Sequence, residues 1–139
     1  MSLSKKCYYG LRALFELARH EGEAPLKIGQ IAASQHAPVR FLEAILNQLK
    51  QGGFVQSRRG MEGGYQLARP ASQITVGEVI RFIEGPLAPM SCPEDATAEE
   101  CPFRSLWKRA EQALASVYDS TTFQDLVEEQ RVEPLNFTI

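Results

Sequence analysis

Residues 38–68 read PVRFLEAILNQLKQGGFVQSRRGMEGGYQLA, two different residue periods joined by a glycine pair. Leu42, Ile45, Leu46 and Leu49 recur at i, i+3, i+4, i+7, which predicts the buried stripe of a helix that opens near Pro38 and stops at Gly52-Gly53. Opposite that stripe, Arg40, Glu43, Ala44, Asn47 and Gln51 repeat with the same spacing and form a polar face. Past the glycines, residues 54–59 and 65–68 are short alternating segments around Gly60-Met61-Glu62-Gly63-Gly64. Such a pattern predicts a β-hairpin with a small tip.

Upstream, Leu11, Leu14, Phe15, Leu17 and Ala18 mark a helix over residues 5–20 with Ser4 as its N-cap, closed by Gly22 and Pro25. Ile28, Ile31 and Ala32 mark a short second helix from Lys27 to Ser34, followed by a tight turn through Gln35, His36 and Ala37. Three helices on short turns are the outline of a helix-turn-helix, and the hairpin adds a wing.

Downstream, Thr75 and Glu78 form a capping box and Ile74 and Val79 a hydrophobic staple, so a fourth helix runs from Val76 to Glu84. Residues 85–102 hold four prolines, two cysteines and four acids without any period, and read as a long loop. Phe103, Leu106, Trp107, Ala110, Ala113, Leu114 and Val117 then set out a helix of about four turns. Thr122 and Asp125 cap a last short helix carrying Phe123, Leu126 and Val127.

The expected fold is therefore mainly α with a small β-hairpin. It comprises a winged helix-turn-helix domain over residues 1–84, a cysteine-bearing loop over 85–102, and a dimerisation helix with a C-terminal tail over 103–139. A long apolar stripe on a domain already complete without it needs a surface to bury against, and an identical chain is the simplest supply.

Composition narrows the function classes. A chain of 139 residues with 44% hydrophobic and 23% charged residues is a folded globular protein, not a disordered one. No apolar run reaches the ~18 residues of a membrane span. No apolar segment follows Lys5-Lys6, so a secretory signal is not expected and the cytoplasm is the expected location. The net charge of −2 divides unevenly: residues 1–70 hold ten Lys and Arg against five acids, residues 71–139 five against twelve. A basic front half suits phosphate contact. Three cysteines, an odd number, argue against a structural disulfide framework.

A polar helix face can read bases in the major groove, where Arg pairs with guanine, Asn with adenine, Glu with cytosine, and Ala touches a thymine methyl. The candidates are Arg40, Glu43 and Asn47, with Phe41 beside them facing either a base edge or the core. Taken alone such a stripe is more often a solvated surface; the adjoining hairpin changes the reading. Arg58 and Arg59 stand before the small residue Gly60, where a long cation reaches phosphate or the minor groove. Lys27, Lys5 and Lys6 are further phosphate candidates at helix entrances. The predicted partners are double-stranded DNA and a second copy of the chain. No Ser-His-Asp or Cys-His set, metal motif or phosphate loop points to an enzyme. A protein-protein module is the alternative, distinguished by salt-insensitive or absent DNA binding.

The run Arg58-Arg59-Gly60-Met61-Glu62-Gly63-Gly64-Tyr65, with Leu42-Glu43 before it and Val76-Gly77-Glu78-Val79-Ile80 after it, resembles the IscR, NsrR and CymR family of winged-helix regulators. The opening Met1-x-Leu3-Ser4-x-Lys6-x-x-Tyr9 is similar to that family's start. The resemblance implies dimeric repressors or activators whose long C-terminal helices cross between subunits, with a cysteine loop that senses redox state, nitric oxide or cluster supply. It places base reading on Arg40, Phe41 and Glu43, and the wing contact on Arg59.

By the same resemblance, Cys92 and Cys101 match the first and last of three cluster-binding cysteines; the middle one is missing. Arg104 stands where some members carry a histidine ligand. Tyr8, next to Cys7, stands where others recruit an acidic ligand from the partner chain. An iron–sulfur cluster needs four ligands, usually thiolates, so the ligand set is incomplete. A partner's Cys7 with Glu94, Asp95, Glu99 or Glu100 would be needed to fill it, although Cys7 on an apolar helix is by default a core residue. Zinc is disfavoured because His20 and His36 show no ligand spacing with the cysteine pair. Two other readings stay open. One is a thiol switch in which Cys92 and Cys101 form a reversible disulfide, with Arg104 and a helix N-terminus lowering the pKa of Cys101. The other is a cluster-free regulator governed by a small molecule or a protein partner.

Overall fold

The computed structural model describes residues 3–88 and 90–136. Met1 and Ser2 of the family-like opening, Pro89 of the loop and residues 137–139 of the tail lie outside the described residues. Along the chain run α1 (Lys5–Arg19), α2 (Ile28–Gln35), α3 (Val39–Gln51), β1 (Val55–Arg58), β2 (Gly64–Leu67), a 3-10 turn (Ala71–Gln73), α4 (Val76–Glu84), α5 (Arg104–Asp119) and α6 (Phe123–Asn136).

The local signals act as elementary chemistry requires. The Ser4 hydroxyl accepts from the Cys7 N–H at 3.1 Å and opens α1. His36 takes a left-handed conformation (φ 54°), and the Ala37 N–H returns to the Ala32 carbonyl at 3.0 Å, which turns the chain from α2 into α3. Thr75 and Glu78 exchange reciprocal cap bonds at 3.0 and 3.2 Å, and Ile74 and Val79 around them are fully buried. β1 and β2 pair antiparallel, from Val55 opposite Leu67 to Arg58 opposite Gly64. Leu26 forms a bridge to Tyr65 on the far side of β2. A side chain at Gly64 would strike the Leu26 carbonyl, so only glycine lets the wing close against the segment before α2.

Leu14, Ile31, Leu42, Ile45, Leu46 and Leu49 fill the core between α1, α2 and α3, and Phe54 and Val55 seal it at the base of the wing. Two side chains come from much further along. Phe123 and Val127, 1% and 3% exposed, sit in the same core. The Phe123 N–H donates to the Ile74 carbonyl at 3.1 Å, and the Val76 N–H to the Thr121 carbonyl at 2.9 Å. The sequence suggested a short terminal helix outside a complete domain. Instead α6 is 14 residues long and folds back on α1 to finish that domain's core. Its length gave no periodic signal because residues 128–131 are all polar.

Helix α5 is the opposite case, with no buried residue. Phe103, Leu106 and Val117 stand 54%, 44% and 61% exposed along one side, an unpartnered apolar face. Arg81 of α4 grips Asp119 at the end of α5 through two hydrogen bonds of 2.6 and 2.8 Å. Leu87, at the start of the loop, is buried with Cys7 and Ile80 in a second small cluster that also receives Ala115 and Tyr118 of α5.

Candidate nucleic-acid interface

Burying Leu42, Ile45, Leu46 and Leu49 forces the other side of α3 outward, and Arg40, Glu43, Ala44, Asn47 and Gln51 are all exposed. Phe41 is divided between the two roles: it is 37% exposed, and its ring meets the Tyr9 ring edge-on at 5.5 Å. That contact fixes the ring against α1 and leaves one edge free.

Two lysines tie the wing to the helices. Lys50 donates to the Ser57 hydroxyl at 2.9 Å, joining the end of α3 to β1. Lys27 donates to the Met61 carbonyl at 2.8 Å, joining the start of α2 to the wing tip. Lys27, expected to meet phosphate, is thus also a strut that sets the tip's position. Arg58, Arg59 and Gly60 are exposed, and Gly60 has φ 102°, a conformation suited to glycine. Among the described residues no ion pair involves Arg40, Arg58 or Arg59. Their charge faces solvent unspent. Lys5 and Lys6 are exposed at the start of α1.

Met61, in the expected hairpin tip, is 96% exposed. One feature carried no sequence signal. Glu16, only 4% exposed, lies between α1 and α2 and accepts from Ser34 and Gln35, both at 2.6 Å, with His20 at 3.0 Å and Arg19 at 3.3 Å. Burial alone would raise the pKa of its carboxyl. The Ser34 and Gln35 hydrogen bonds and the Arg19 and His20 charges outweigh that and hold it below the ordinary range. This network fixes α2 on α1, and α2 in turn positions α3.

The cysteines are arranged differently from a cluster site. Cys92 and Cys101 are joined as a disulfide with Cα atoms 6.1 Å apart. Arg104, at the ligand position suggested by the family resemblance, donates to the carbonyls of Pro93 at 3.1 Å and Ala96 at 2.8 Å and so organises the loop between the two cysteines. Cys7 is fully buried, and burial, with Glu84 adding to it, pushes its thiol up to about 11. Among the described residues no three His, Cys, Asp or Glu side chains are grouped to hold a metal. Within one chain the candidate ligands Cys7, Cys92 and Cys101 are not brought together as a ligand set. With two sulfurs bonded to each other and the third sealed in the core as a neutral thiol, the residues present do not fit an iron–sulfur cluster.

The sequence pattern of Rrf2, described as an iron-dependent transcriptional regulator, matches residues 3–129. The chain is 40% identical over 126 residues to the HTH-type transcriptional regulator CymR of Bacillus subtilis, covering 91% of this chain and 89% of that protein. It is 30% identical over 135 residues to the regulator IscR of Xenorhabdus nematophila, covering 95% and 82%. The solved structure of CymR, the global cysteine regulator of B. subtilis, superposes with a TM-score of 0.83 at 37% identity, covering 93% of this chain and 98% of that one. That of T. potens IscR gives 0.78 at 34% identity, covering 94% and 88%.

Proposed function

The chain belongs to the Rrf2 family of DNA-binding transcriptional regulators, and on that premise we propose that it binds a two-fold operator as a homodimer. In this reading α3 enters the major groove with Arg40, Glu43 and Asn47 toward base edges and Phe41 at their margin. Arg59 reaches the adjacent minor groove or phosphate, and Arg58, Gly60 and Lys27 follow the backbone. The observation that carries it is the exposed charge of Arg40, Arg58 and Arg59, which form no ion pair among the described residues, on a helix α3 that Lys50 ties to β1 and a wing tip that Lys27 ties to the start of α2.

The homodimer rests on the exposed Phe103, Leu106 and Val117 of α5, which a second α5 would cover. Residues 1–84 serve DNA, 85–102 sensing and 103–139 assembly, with α6 also supporting the DNA-binding core. The Cys92–Cys101 bond makes the loop a redox element: opening it frees two thiols beside the dimer helix. Among the described residues no helix is long and apolar enough to cross a membrane, and the proposed site of action is the cytoplasm.

Duplex binding measured across a range of salt concentrations tests the interface. Wild-type affinity should fall steeply with salt, and Arg59→Ala should weaken binding to all sequences alike and reduce the log–log slope by about one. Salt-insensitive binding, or a loss confined to a single operator, would contradict the role given to the wing.

A further inference from the structure

Beside the disulfide lies a cleft of about 380 Å³ lined by Cys92, Trp107, Arg104, Lys108, Glu94 and Glu111, among others. We propose that it binds a small thiol carrying both an ammonium and a carboxylate group, and that this thiol opens the Cys92–Cys101 bond by exchange.

The charges argue for a zwitterion. Lys108 and Glu111 are one helical step apart on α5, yet among the described residues no ion pair within 4 Å involves Lys108, Glu94 or Glu111. Arg104 is partly committed to the Pro93 and Ala96 carbonyls, which leaves Lys108 as the cation for a carboxylate. Glu94 and Glu111 remain for an ammonium, although Glu111 also acts on Arg81. A purely anionic thiol would meet the two acids, and a purely cationic one the two bases. A cleft of about 380 Å³ has room for a molecule of amino-acid size.

The ligand thiolate attacks the Cys92 sulfur. A ligand–Cys92 disulfide forms, the Cys92–Cys101 bond breaks, and Cys101 leaves as a thiolate next to the N-terminal end of α5, whose dipole favours negative charge. A second molecule of the same thiol attacks the ligand sulfur of that mixed disulfide and releases the oxidised ligand dimer and the Cys92 thiolate. Two ligand thiolates are oxidised, and the protein disulfide takes up two electrons.

This inference rests on the reversible disulfide proposed above and not on DNA contact. Loss of the disulfide from the full, oxidised chain would be followed by thiol trapping and intact mass, with L-cysteine, its methyl ester, N-acetylcysteine and 2-mercaptoethanol compared at equal thiolate concentration. After correction for thiol basicity, L-cysteine should show a saturating rate about fivefold or more above the singly charged and neutral thiols. Lys108→Ala should bring L-cysteine down toward the methyl ester and leave 2-mercaptoethanol unchanged. Rates linear in every thiol and ordered by basicity alone would overturn the site, as would a bond that none of them opens. Selective opening by L-cysteine without any change in DNA affinity would uphold the site while removing the regulatory role of the disulfide.

Discussion

The α3–wing surface and the Cys92–Cys101 loop are built by opposite means. In α3 one period does two jobs: Leu42, Ile45, Leu46 and Leu49 go inward, and by that act Arg40, Glu43 and Asn47 go outward. The loop has no period at all. Its shape comes from one guanidinium on two carbonyls, the buried Leu87 and Ala96, and a covalent bond between residues nine apart. A surface specified by its own core needs no covalent bond to hold its shape. One specified by a disulfide depends on the redox state, which places reading in the first region and regulation in the second.

The sharpest way to break that division is to attack the reading domain from the far end of the chain. Phe123→Ala should destabilise the protein by about 3–5 kcal/mol in denaturant unfolding, as for other buried phenylalanines. A cost below ~1 kcal/mol would mean that α6 is an appendage and that the core closes without it.

Acid gives a smaller and graded test. The Glu16 carboxyl is held below its ordinary value of 4.5 in the folded chain, so the stability it adds is complete above that value and is lost as pH falls below it. Glu78, lowered through its bonds to Thr75 and Arg69 against the opposing effect of burial, acts in the same direction. Between about pH 6 and pH 3, Glu16→Gln should flatten the fall of unfolding free energy with pH. An unchanged pH profile would mean that the Glu16 network does not hold α2 on α1. Trp107, the single tryptophan, offers a separate fluorescence reading of the loop region during the same titration.

Much of the first region was legible in the sequence, and little of the second. Helices α1 to α4, both caps and the wing follow from spacing, because their bonds join residues three to five apart or adjacent strands. The same holds for the exposed face of α3. The role of Arg104 as a loop organiser was hidden, because side-chain bonds to carbonyls eight and eleven residues away obey no pattern. Glu16 was hidden for a related reason: its partners Ser34 and Gln35 lie 18 and 19 residues on. The docking of Phe123 beside Ile74 could be found only by seeing α6 return. Lys27 was legible as a cation but not as the support of Met61.

Selection of bound duplexes from a fully randomised library, with the wild type and Glu43→Ala in parallel, tests the central claim most directly. The wild type should select an inverted repeat with half-sites about one helical turn apart. Glu43→Ala should keep that spacing and relax the preference, by about 1–3 kcal/mol, at one base pair of each half-site. An enriched motif without two-fold symmetry, or a preference unaltered by Glu43→Ala, would contradict that claim.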